Sequence, residues 1–152
     1  MIARPSSRQL LQTVRTELRT GIRAAVTDPD ALTRLDMLDS ILGSVIARAD
    51  DEAAWLREEI TAIETVADRL LGEHADAGVA EALARLRARR APSSRLPELH
   101  AEYALAGEVL SRCLEAAVRT GGELRTAVEA VLSDRLRREV AIRGEFSLAG
   151  RI

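Results

Sequence analysis

Four charged positions are the first candidates for chemistry, because they fall inside apolar sectors when each helical segment is stepped at about 100° per residue. Asp39 aligns with Leu35, Leu42 and Ile46. Glu59 lies amid Trp55, Ile63, Val66 and Leu70. Arg135 and Glu139, four residues apart, sit on the stripe of Val128, Val131, Leu132 and Ile142. A charge so placed must be paired, reach solvent or meet a partner protein. Three roles therefore fit: salt bridges that fix helix register, contacts across an interface with another protein, or a carboxylate whose raised pKa serves acid–base work. Spacing alone does not separate them.

The remaining reactive side chains narrow the field. Metal sites in helical bundles use Glu-x-x-His pairs from two helices. His74 directly follows Glu73, and His100 is two residues after Glu98, so no metal site is expected. His100 lies near the edge of its segment's apolar arc and reads as half-buried. Cys113 shares the line of Ala106, Leu110 and Ala117, which makes it a core residue rather than a reactive thiol. As the single cysteine it forms no internal disulfide, which suits a reducing compartment. Every one of the 22 basic side chains is arginine, which excludes Schiff-base and P-loop lysine chemistry. Dinucleotide fingerprints, nucleophile elbows and Cys-x-x-Cys pairs do not occur, and no cofactor is expected. The cluster Arg85, Arg87, Arg89, Arg90 and the group Arg135, Arg137, Arg138 could grip phosphate oxygens, or form solvated helix faces. A net charge of −2 supplies no field for nucleic acid or anionic lipid. The three aromatics, Trp55, Tyr103 and Phe146, offer little for stacking bases.

The elements that must position these groups are helical throughout. The chain has 152 residues, a length suited to one domain, with alanine (26) and leucine (21) dominant and only three aromatic residues. Punctuation predicts helices over about 6–26, 29–49, 51–71, 78–90, 96–119 and 123–143, with a loop at 91–97 and a tail at 144–152. Ser6 with Gln9 makes a capping box, and Leu11, Val14, Leu18, Ile22 and Ala25 then form one stripe. Pro29 suits the first turn of the second helix. The acids Asp50, Asp51 and Glu52 favour a fresh start for the third helix over a kinked continuation. Gly72 and the Gly121-Gly122 pair read as helix stops. The short loops predict an all-α, single-domain bundle of five or six mostly antiparallel helices. No stretch reaches 18 apolar residues and the N-terminus has no apolar signal core, so a cytoplasmic chain without a membrane span is expected.

Two stretches carry a family resemblance. Arg4-Pro5-Ser6 with Leu10, Leu11 and Val14, then Arg34-Leu35 and Val45-Ile46-Ala47-Arg48, resemble the front half of a small all-helical bacterial family of largely unassigned role. The run from Leu110 to Gly121 and the segment from Leu132 to Ile142 are similar to its back half. The resemblance covers about residues 4–50 and 105–142 and leaves the middle third unmatched. Arg48, Arg112, Arg119 and Gly121 are the positions that carry over best; as plain structure they are surface arginines and a helix stop. The chain departs from the family pattern at Ala49, at Ser111 and at Arg143-Gly144-Glu145-Phe146. Members are encoded beside aminoglycoside-phosphotransferase-like kinases and acyl-CoA dehydrogenases, and some look like small subunits of a hydroxyacyl-CoA kinase. The resemblance thus implies a noncatalytic accessory subunit whose partner is a larger phosphotransferase-like or acyl-CoA-dehydrogenase-like enzyme. Leu105 and the charged end of the last helix are the expected contact surface. Two alternatives stand beside this expectation: a self-sufficient small enzyme using Asp39 and Glu59 in a bundle cavity, and a homodimeric scaffold or regulator.

Overall fold

A computed structural model describes residues 4–143, so the tail at 144–152 and Phe146 lie outside the described residues. The fold is an all-α helical bundle, with no strand among those residues. Helix α1 (Ser7–Glu17) runs through a π turn (Leu18–Ile22) into the short α2 (Arg23–Ala25). It is followed by α3 (Pro29–Arg48), α4 (Glu52–Glu73), α5 (Ala77–Ala88), α6 (Leu96–Thr120) and α7 (Gly122–Arg143).

Local chemistry sets most of these limits. The Ser6 side chain accepts from the Gln9 backbone while the Gln9 side chain accepts from the Ser6 N–H, closing the capping box. Asp28 caps α3 with Pro29 in its first turn, and Asp76 caps α5 by accepting from the Val79 N–H at 3.0 Å. A turn at 49–51 separates α3 from α4. Gly72 does not stop α4, which continues to Glu73. Between α6 and α7 the chain reverses on two glycines with φ of 73° and 64°, the left-handed region where a Cβ is penalised.

The chain divides into two compact units. Unit 2, Ala53–Arg137, has a dense core. Ile60, Ile63, Ala67 and Leu70 of α4 meet Val79, Leu83 and Leu86 of α5, with Val109, Cys113 and Ala117 of α6 and Leu124, Val128 and Val131 of α7. The small residues Ala67, Ala82, Ala106 and Ala117 are buried with them, so apolar area is removed from water on all four helices.

Unit 1 comprises the described parts of Met1–Glu52 and Arg138–Ile152, and it is built differently. Helix α1 packs on α3, yet Ile46 is the one buried side chain among this unit's described residues. Ion pairs tie the hairpin instead. Arg8 reaches Asp50 at 3.2 Å, Arg15 donates to both carboxylate oxygens of Asp39 at 2.8 and 2.9 Å, and Arg23 bonds Asp36.

The π turn corrects the stripe expected on the first helix. Leu11 and Leu18 are half-buried, but Val14 is 51% and Ile22 45% exposed. A π turn holds one extra residue, so everything after it is rotated back by about 100°. Ile22 therefore leaves the Leu11–Leu18 line and joins that of Leu10 and Val14.

The contrast between the units is testable by urea unfolding of single variants. Leu70→Ala should cost about 2–5 kcal/mol, as a fully buried leucine in a dense core does. Ile41→Gln, at an exposed position of α3, should change stability by no more than about 0.5 kcal/mol. A large loss from Ile41→Gln would mean that unit 1 buries this side chain in the isolated chain.

Candidate functional site

Helices α4, α6 and α7 bring together a part-buried polar cluster of unit 2. Glu59 comes from the edge of α4's apolar face, Tyr103 from α6 and Arg135 from α7. One oxygen of Glu59, Oε1, accepts both the Tyr103 hydroxyl at 2.9 Å and the Arg135 Nε–H at 2.5 Å. The Arg135 guanidinium carbon lies 5.2 Å from the centre of the Tyr103 ring, a cation–π distance. Burial, reinforced by the Glu59 hydrogen bond and charge, pushes the Tyr103 phenol up to about 12. Tyrosine thus stays protonated at neutral pH and serves as a donor. Arg135 Nη2 is buried without a hydrogen-bond partner among the described residues, so the cluster is one acceptor short.

Two of the four sequence candidates are therefore partners of each other. The stepping rule placed Glu59 and Arg135 on inward faces, and the structure joins them across 76 residues of chain. Asp39 has a separate environment in unit 1. The hydrogen bonds from Arg15 hold its carboxyl below its ordinary value, against the opposing effect of burial. That is the reverse of the raised pKa a catalytic acid needs at neutral pH. A cavity of about 260 Å³ beside Asp39 is lined by Leu18, Arg19, Arg23, Leu35 and Asp36. Glu139 is exposed on α7.

The positions carried by the family resemblance have structural tasks. Arg119 reaches Asp76 at 2.8 Å and so ties the end of α6 to the cap of α5. Arg112 pairs with Glu115 on the α6 surface at 3.1 Å. Gly121 ends α6 at positive φ. Arg48 is exposed at the end of α3.

The arginines of α5 and of the loop that follows it are largely neutralised by neighbouring helices. Arg85 bonds Glu108 at 2.5 Å, Arg87 bonds Asp68 at 2.6 Å, and Arg90 holds both Glu64 oxygens at 2.6 and 2.8 Å. Between α5 and α6 a shallow groove of about 490 Å³ is lined by Arg85, Ala88, Arg89, Ala101 and Leu105. Leu105 is half-buried there, and His100, expected to be half-buried, is exposed. Cys113 is buried, and desolvation with the nearby Asp76 charge pushes its thiol up to about 11, which removes thiolate reactivity at neutral pH.

One functional-looking group escaped the sequence reading. Glu102 is the one buried charged residue among the described residues, accepting from the Ala91 N–H at 3.0 Å with Arg90 Nε 4.0 Å away. It fastens the loop between α5 and α6 to the core. The signal was present: Glu102 falls on the arc of Leu99, Ala106 and Val109, which stepping α6 residue by residue would have exposed. Comparison of the chain with protein-family models, with curated proteins and with solved structures returns no match.

Tyr103 is the chain's single tyrosine, so its titration can be read by absorbance. In the folded protein the phenolate should form with a midpoint near 12, and in urea near the ordinary value of about 10. A raised phenol pKa stabilises the fold below pH of about 10, and that stability is lost as pH rises through the folded value. Tyr103→Phe should lessen the alkaline sensitivity, of which the raised Cys113 thiol supplies a further part; a folded midpoint near 10 would deny both the burial and the Glu59 contact. Asp39 gives the opposite sign. Its lowered pKa stabilises unit 1 above the ordinary carboxylate range, and this contribution fades as pH falls through the depressed value. Urea unfolding at a series of acidic pH values should show a shallower loss for Asp39→Asn than for the parent chain.

Proposed function

We propose that the chain is a noncatalytic interaction subunit that lends a helical surface to a larger enzyme. The observation that carries this reading is the outer face of the α1–α3 hairpin. Leu10, Val14 and Ile22 from the first helix, and Met37, Leu38, Ile41 and Val45 from α3, are exposed, with Met37 at 62% and Ile41 at 57%. Among the described residues this hairpin buries a single side chain, whereas helical faces ordinarily bury a stripe against a further layer. Contiguous exposed apolar side chains of this extent mark contact sites in native proteins.

The inward charges support the same reading. Asp39, Glu59 and Arg135 are engaged with one another or with Arg15, so they act as ties between helices. The family resemblance supplies the finer version: the partner is a phosphotransferase-like enzyme acting on hydroxyacyl-CoA-type substrates. In such a pair the large chain supplies the cation clamps and the positioned base of phosphoryl transfer. The unpaired, unreactive Cys113 is compatible with work in the cytoplasm of a bacterium.

Co-expression with a phosphotransferase-like polypeptide, if one is found encoded beside this chain's gene, tests this. ATP-dependent phosphorylation of a hydroxyacyl-CoA should require both chains. Ile41→Glu together with Val45→Glu should abolish the stimulation while leaving the helical circular dichroism of the chain unchanged. Turnover by the isolated chain that Glu59→Gln removes would instead establish a small self-sufficient enzyme.

A further inference from the structure

Helix α3 carries its exposed residues in a pattern that specifies more than apolarity. Arg34, Leu38, Ile41, Val45 and Arg48 recur at alternating steps of four and three, the spacing of a coiled-coil seam, with Met37 beside them. The two arginines bracket the apolar stretch at both ends. Fourteen residues apart, they stand about 21 Å from each other along the helix. Neither guanidinium has an ion pair or hydrogen bond among the described residues, whereas those of Arg8, Arg15 and Arg23 across the hairpin are all engaged.

The first helix adds a second wall on the same side. Its exposed line of Leu10, Val14 and Ile22 stands about 70° from its contact line of Leu11 and Leu18. On α3 the exposed arc stands about 110° from the contact arc of Leu35, Asp39, Leu42 and Ile46. Both offsets run in the same rotational sense from each helix's own N-terminus. Because the helices are antiparallel, that sense turns both lines to one face of the hairpin. The resulting surface is an apolar trough with arginine at the two ends of one edge and Glu17 midway along the other.

We infer that this trough seats an amphipathic helix of the partner enzyme whose apolar edge is flanked at both ends by carboxylates. The inference rests on the subunit reading above and names the partner's chemistry. Charge decides against the two other occupants. In a symmetric antiparallel pairing of two α3 helices centred on Ile41, Arg34 of each copy meets Arg48 of the other, and like charges face at both ends. An anionic membrane is disfavoured because residues 4–52 hold seven arginines against eight carboxylates and present no net positive field. A helix with an acidic flank satisfies both arginines and covers the stripe in one docking mode.

The probes are two synthetic amphipathic helices with the same leucine edge, one flanked by glutamates and one by arginines at matching positions. Calorimetry with the full chain should show the acidic peptide binding about tenfold or more tightly than the basic one, with the difference shrinking as salt is raised. Arg34→Gln with Arg48→Gln should lower acidic-peptide affinity about tenfold at unchanged circular dichroism, and Arg34→Glu with Arg48→Glu should reverse the preference. Equal affinity for the two peptides overturns the proposal. So does a stable dimer by solution mass at the same concentrations, or binding to phosphatidylglycerol vesicles with neither peptide bound. Loss of the peptide preference alongside an Ile41-dependent stimulation of the phosphotransferase-like chain would sink this partner chemistry and leave the subunit reading standing. An intact preference with no stimulation would sink the subunit reading and leave the acidic-helix site.

Discussion

An arginine drawn between two helices must find a carboxylate, and much of this molecule is arranged around that requirement. The chain has no lysine, so each interhelix cation is a planar fork that can hold two oxygens at once. Arg15 on Asp39 and Arg90 on Glu64 use that geometry directly. Glu59 uses the complementary trick, offering one oxygen to both Tyr103 and Arg135. Removing one member of such a half-buried pair leaves the other desolvated, which costs more than the pair contributes while intact. These contacts therefore act as register pins: each permits one alignment of its helices and penalises the rest.

The pins carry different weight in the two units. In unit 2 they sit at the rim of a core that already removes Ile63, Leu70, Val109 and Val128 from water. Apolar burial there stabilises the packing, and the ion pairs select among packings. In unit 1 the order is inverted. The hairpin of α1 and α3 buries little, and the Arg–Asp ladder supplies most of its specific contacts. Exposed ion pairs contribute only about 0–1 kcal/mol each, so such a ladder aligns two helices without providing a core.

The sequence made the helices legible because their signals are local. Ser6 with Gln9, Asp28 before Pro29, and the glycine pair at 121–122 act within one turn, and each limit follows from a side chain or a φ requirement at that point. Inward charge was legible too, since a 100° step needs only the residue's neighbours; Asp39, Glu59 and Arg135 all came from it. What the step cannot give is the partner. Arg15 bonds Asp39 across 24 residues and Arg135 bonds Glu59 across 76, and pairing at such range depends on how helices cross. The π turn was hidden for a related reason. One inserted residue leaves the composition of α1 unchanged yet moves Ile22 to the other side of its stripe. Glu102 was legible and went unread, because its role depends on the Ala91 N–H, a backbone group in a loop with no side-chain signature.

That displaced Ile22 bears on function. A regular helix would turn Ile22 inward with Leu11 and Leu18, and unit 1 would bury one more side chain of its own. The π turn instead spends it on the outer face, extending the Leu10–Val14 line to the level of Arg34. Single-turn π inserts are frequent at functional sites. The inserted residue thus trades a core contact for a longer apolar trough. That exchange suits a hairpin whose outer face packs against another helix, as proposed above, and it brings no gain in one that meets only water.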